Sequence, residues 1–168
     1  MDSFSFFVPG EPITEGSTKA FASGQRVVVT HDRGPELAVW RTRVKRAAQE
    51  AAREAGWETR YDGPVAVTAL FLLPRPKSAK GRFLPHVKPD LDKLIRAVGD
   101  ALAPYKQEGV LKDDSRITVW RTVKEYADGY RPGVLIIVSP IDERYMPFIH
   151  AYAGRLEAEE REIQEDVA

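Results

Sequence analysis

The stretch PVAVTALFLLP, residues 64–74, decides the fold. It reads as the strongest strand of the chain, rich in branched and aromatic side chains and ended by Pro74. A loop follows over 75–89, crowded with Arg75, Lys77, Lys80, Arg82 and Lys88. Next comes KPDLDKLIRAVGDALAP, residues 88–104, whose Leu91, Leu94, Ile95, Val98 and Leu102 recur at the spacing of one helix face. RITVWRTVKEYA, 116–127, then reads as a strand. The three pieces make a β-α-β unit, with a right-handed crossover expected if its strands are parallel in one sheet.

Working outward, GVLIIVS (133–139) reads as a strand joined to 116–127 through DGYRP as a hairpin. Upstream, SFSFFV (3–8) and RVVVT (26–30) are short strands, and 9–25, rich in Gly, Pro, Ser and Thr, reads as a loop. Residues 35–56 predict a helix. Pro35 suits its first turn and Gly56 its stop, and its apolar stripe is Leu37, Trp40, Val44, Ala47 and Ala51. Its other face carries Arg41, Arg43, Lys45, Arg46 and Arg53. The expected class is α+β: a mixed β-sheet with two main helices packed on it, plus a C-terminal helical extension.

Net charge is zero over 168 residues but unevenly spread. Residues 142–168 hold eight acids and three bases, leaving the body, 1–141, at +5 and the helical extension at −5. A basic body suggests a polyanionic partner. The absence of cysteine excludes disulfides, thiolate metal sites and a Cys nucleophile. His31, His86 and His150 are scattered, which argues against a zinc hydrolase. No apolar run approaches the roughly 20 residues that span a bilayer, and the N-terminus lacks signal-peptide features, so the expected location is cytoplasmic with no membrane partner.

Two acidic pairs flank the helix: Asp90 with Asp92 at its start, and Asp113 with Asp114 before the following strand. An acid at a helix start caps it and suits its dipole, but capping needs one acid. A helix start and the entry to the next strand meet only if 105–115 folds back. If Asp90, Asp92 and Asp114 converge, they must take up protons or bind a cation. Oxygen donors without His or Cys suit Mg²⁺ or Mn²⁺. With basic side chains alongside to hold a phosphodiester backbone, this pattern describes a metal-dependent nuclease. A phosphatase with an aspartyl nucleophile places DxD directly after a buried strand, and a nucleotide-sugar transferase needs a larger chain. Neither a P-loop nor G-x-G-x-x-G is present.

PDLDKLIRAVGDAL followed by GVLKDDSRI resembles the RusA-type Holliday junction resolvases of phages and prophages. The likeness extends, more weakly, to FVPGEP and the long first helix, over about residues 3–139. The resemblance implies a homodimeric, Mg²⁺-dependent endonuclease that nicks four-way DNA junctions symmetrically in recombination and repair. By position, Asp90, Asp92 and Asp114 are the metal-binding acids, and Asp113 helps by charge or by fixing the turn. The family places a Lys one turn beyond the second Asp, where this chain has Arg96. Arginine stays protonated, so it can serve phosphate but not act as a base. Lys93 can share that task. Candidate DNA contacts are Arg75, Lys77, Lys80, Arg82, Lys88 and Lys93. A branched-DNA-binding module without catalysis, and a nuclease for flaps or forks, remain open at this point.

Overall fold

The computed structural model describes residues 2–15, 18–23, 26–31, 34–79, 81–104 and 109–142. Its elements are β1 (Phe4–Pro9), β2 (Thr18–Ser23), β3 (Arg26–His31), α1 (Gly34–Glu54), β4 (Val65–Leu73), α2 (Leu91–Leu102), β5 (Ile117–Tyr126) and β6 (Gly133–Pro140). A 3₁₀ turn, Asp114–Arg116, leads into β5.

Four strands form one mixed sheet in the order β1-β6-β4-β5. β4 runs parallel to β5, with Val67 opposite Trp120 and Leu73 opposite Tyr126. It runs antiparallel to β6, with Val67 opposite Val138. β6 pairs antiparallel with β1 on its other side. The β4-α2-β5 unit is therefore parallel and in one sheet, and the α+β expectation holds. The face of β4 under the helices is Val65, Val67, Ala69, Phe71 and Leu73, each at most 4% exposed. α1 packs on β1 and α2, and α2 packs on β5. Truncating Phe71 in such a core costs about 3–5 kcal/mol.

Three expectations change. The DGYRP segment does not close a hairpin, because β4 lies between β5 and β6 in the sheet. β4 offers β6 a long apolar partner on its free edge, and that pairing outweighs proximity along the chain. Part of the stretch read as a loop over 9–25 is β2, which pairs antiparallel with β3 in a separate two-stranded ribbon, Thr18 opposite His31 and Ser23 opposite Arg26. On α1 the buried line is Leu37, Trp40, Val44, Ala48 and Ala52, with Ala47 and Ala51 at its margin. At 3.6 residues per turn, positions spaced by four advance about 40° per step, so from Trp40 to Ala52 the buried line winds about 120° across one face. The buried residues of α2 are Leu94, Ala97, Val98, Gly99, Ala101 and Leu102, with Leu91 and Ile95 partly buried.

The acidic helical extension expected over 142–168 lies outside the described residues beyond Asp142. No helix among the described residues is long and apolar enough to cross a membrane.

Candidate active site

α2 begins at Asp90, whose backbone is extended (φ −72°, ψ 136°) and whose carbonyl accepts from the Leu94 N–H at 3.2 Å. Its carboxylate makes no capping hydrogen bond. It lies instead 3.3 Å from Lys93 Nζ, one turn along. Asp92 is exposed in the first turn. The positive helix end favours both charges, but neither is spent on closing the helix. The approach to this end is fixed by a residue that sequence reading missed. Lys124 of β5 donates from Nζ to the carbonyls of Val87 (2.9 Å) and Pro89 (2.7 Å). The Lys88–Pro89 peptide before Asp90 is cis.

At the other end of α2 the segment from Gly109 onward packs back against the helix end and the 60–61 segment. Leu111 N–H donates to Leu102 O (3.0 Å), Arg60 N–H to Gly109 O (3.2 Å) and Tyr61 N–H to Val110 O (2.8 Å). The 3₁₀ turn then lies against α2. Asp113 fixes that turn: its Oδ1 accepts from Ser115 N–H at 3.0 Å, and hydrogen bonds from the Ser115 side chain and then its backbone hold the carboxyl below the usual range. Asp114 is exposed and electrostatically close to Asp100. Burial pushes the Asp100 carboxyl up, the Arg41 guanidinium opposes the rise, and Glu15 and Asp114 add to it.

Arg41 binds Asp100 directly and lies 3.5 Å from Glu15 Oε1. Glu15 Oε2 is 3.5 Å from Arg96 Nε. The backbone N–H of Glu15 donates to Lys93 O at 3.2 Å. A strap of alternating charge thus joins the segment before β2, α1 and the exposed side of α2, and it holds Arg96.

The acids therefore stand at both ends of one helix. Asp92 and Asp100 are eight residues apart, about 12 Å along the axis, and Asp114 neighbours Asp100. Oxygen ligands of Mg²⁺ lie only about 2.0–2.1 Å from the ion. Among the described residues no three carboxylate or imidazole side chains gather closely enough to hold a metal ion. The sequence pattern suggested that Asp90, Asp92 and Asp114 converge, but within one chain α2 keeps the first two from the third.

A cleft of about 820 Å³ opens between α1, the end of α2 and the 112–114 segment. Arg41, Lys45, Arg60 and Lys112 bring cations to its walls, and Asp100 and Asp114 bring acids. Lys112 (2.5 Å) and Arg116 (2.8 Å) both bind Asp62, whose carboxyl is held low chiefly by the Lys112 bond. Arg60 differs from its neighbours. Its φ is +60°, and its exposed guanidinium has no hydrogen-bond or ion-pair partner among the described residues. Nothing in a local sequence window marks it.

The basic loop divides into anchors and displayed groups. Arg75 donates to both carboxylate oxygens of Asp128, to Ala79 O (3.3 Å) and to Arg82 O (2.6 Å), and lies 4.2 Å from the centre of the Tyr126 ring. Four of its five N–H groups are thereby used inside the protein. Arg75 thus ties the loop to the body, and little of it remains for a ligand. Arg82 is half-buried with Nη1 3.4 Å from Tyr126 Oη. Lys77 and Lys88 are exposed. Lys80 lies outside the described residues.

A protein-family model described as "Endodeoxyribonuclease RusA" matches residues 9–139. That span includes both acidic pairs, the cleft and the basic loop. The chain is also similar to the uncharacterized protein YqaN of Bacillus subtilis (strain 168), at 29% identity over 147 residues, covering 81% of this chain and 96% of that protein.

Proposed function

The chain belongs to the RusA endodeoxyribonuclease family, and on that premise we propose that it resolves four-way DNA junctions by paired symmetric nicks, as a metal-dependent homodimer. The observation that carries this reading is the pair of acidic groups at the two ends of α2, beside a cleft walled by cations. The candidate donors are all carboxylate oxygens, and neither Asp90 nor Asp92 is used as a cap. Such a donor set fits Mg²⁺ or Mn²⁺. Asp90, Asp92 and Asp114 would hold the ion, which when bound supplies water activation and charge neutralisation at the phosphate.

The remaining work falls to the chain's own side chains. Arg96 stays cationic and, steered by Glu15, binds phosphate or offsets charge as the strand breaks. Lys77, Lys80, Arg82, Lys88 and Lys93, with Arg60 over the cleft, neutralise the DNA backbone. The homodimer rests on two arguments. Resolution needs two nicks in strands related by a two-fold axis, and a C₂ dimer supplies two sites in that relation. The separation of Asp92 from Asp114 along α2 also leaves each set of acids short of donors, and a two-fold partner can bring the complementary set. The interface candidates are the strands over 3–8 and 26–30, ahead of Ile149, Tyr152 and Leu156 of the extension.

The test compares four-way, forked and linear duplex DNA with Mg²⁺, using wild type and Asp92→Asn. Wild type should place symmetric nicks in the junction, and Asp92→Asn should bind the junction but not cut it. Undiminished nicking by Asp92→Asn would remove these acids from the chemistry. Fork cutting without junction cutting would move the substrate to replication intermediates.

A further inference from the structure

The loop between β4 and α2 buries the wrong residues for a simple connector. Ala79 is fully buried, and Pro85 is buried as well. Phe83 is 90% exposed, Leu84 58% and Val87 41%. Burying a phenylalanine stabilises a fold by about 1.5–3 kcal/mol, and aromatic and aliphatic side chains normally go inside before proline does. The inversion is fixed in place. Arg75 holds the carbonyls of Ala79 and Arg82 on one side of Phe83. Lys124 holds those of Val87 and Pro89 on the other. Ala79 N–H donates to Pro76 O, Arg82 N–H to Ala79 O and His86 N–H to Leu84 O. The loop is pinned by its backbone while its largest apolar side chains face outward.

Lys77, Arg82 and Lys88 flank these side chains along the sequence, and Lys77 and Lys88 are exposed. A second copy of the chain is a poor occupant, since a two-fold axis through the patch would set that cationic rim against itself. An apolar protein partner would leave the cations unpaired. An exposed aromatic ring with cationic side chains before and after it in the loop suits a nucleobase with its phosphates on either side. Phe83 is seven residues from Asp90, so it lies within about 25 Å of the acids at the start of α2.

We propose that Phe83, backed by Leu84, stacks on a base left unstacked at the branch point of the DNA, and that this contact discriminates branched from continuous duplex. The inference rests on the proposed junction-resolving function. Phosphate contacts bind any duplex alike, whereas an exposed ring gains most where a base has lost its neighbour. Phe83 acts as a specificity residue and takes no part in bond breaking.

The experiment uses the full chain in the Asp92→Asn background, without cleavage, and four-way junctions carrying 2-aminopurine at the crossover. Phe83→Ala should weaken junction binding roughly 5- to 150-fold, the range for loss of one stacked base. It should leave linear duplex affinity and its salt dependence unchanged and abolish the change in 2-aminopurine fluorescence. Phe83→Trp should retain all three properties. Equal losses on junction and duplex, or no loss on either, would overturn the proposal, as would a fluorescence change that persists in Phe83→Ala. Dissociation of the protein by Phe83→Ala, seen in sedimentation, would assign the patch to a second copy instead. If wild type itself neither binds nor cuts a junction, the functional reading has failed rather than the role of Phe83.

Discussion

Arg60 holds φ at +60° although it carries a side chain, and it does so on the wall of the cleft. A non-glycine residue in this region costs about 1–2 kcal/mol, and such strain collects where function requires it. Arg60→Gly separates the two roles. Thermal melts should show a gain of about 0.5–1 kcal/mol, because glycine adopts this conformation freely. DNA binding should weaken, with a salt slope shallower by about 0.9, the value for one phosphate contact. A more stable variant with unchanged salt dependence would leave Arg60 outside the DNA path. Asp128 permits a pH test. Its bond to Arg75 holds its carboxyl below the ordinary value of 3.8. A depressed carboxylate stabilises the fold above its unfolded pKa, and that contribution is lost as pH falls through the folded value. Asp128→Asn should therefore melt below wild type at neutral pH, and the gap should close as pH falls below the ordinary carboxylate range. A gap independent of pH would mean that the Arg75 ion pair contributes nothing. Arg75 also marks where sequence reading stops at this scale. Its charge and loop position suggested a DNA contact, while its partner, Asp128, lies 53 residues away. The turn-fixing role of Asp113 was legible because its partner is two residues on.

At the scale of elements, α2 contains a glycine, Gly99, buried where β5 crosses it. A methyl group there would meet Trp120 Cζ2 at 3.7 Å and Ile117 Cδ1 at 3.9 Å, ordinary contact distances. Gly99→Ala should stabilise the protein by about 0.5–1 kcal/mol through helix propensity, read as a higher denaturation midpoint. Destabilisation would show that β5 packs on α2 more tightly than these distances allow. The elements carried by periodicity were legible in the sequence: α1, α2, β4, β5 and β6 all form near their expected bounds. β2 was missed because TKAFAS, with Thr18 and Phe21 among small and charged residues, gives a weak strand signal, although the two-residue link containing Gly24 is a hairpin cue. The partner of β6 was misjudged for a different reason. Turn chemistry is local, but the choice between β5 and β4 is made by side chains some 60 residues upstream of the turn.

For the whole molecule, the division of acids along α2 yields a test that does not depend on which ion is bound. If each site draws Asp92 from one chain and Asp114 from its partner, mixing Asp92→Asn with Asp114→Asn protein makes heterodimers with one intact site and one doubly damaged site. Such mixtures should nick junctions once, while each variant alone is inactive. Silent mixtures, with heterodimers verified by mass, would mean that each chain builds its own site. Two acidic pairs and a basic loop stand out in the sequence as candidates; the separation of the pairs does not, because spacing along a sequence says nothing about which end of a helix a returning loop reaches. The position of β6 in the sheet has a consequence for the protein's birth on the ribosome. Among the described strands β1 pairs in that sheet with β6 alone, and β6 is the last of them to be synthesised. Chains emerge at about 5–20 residues per second, so the first strand waits many seconds, its edge and that of β4 open to other chains. A nascent chain halted before Gly133 is thus a client for chaperones rather than a smaller nuclease.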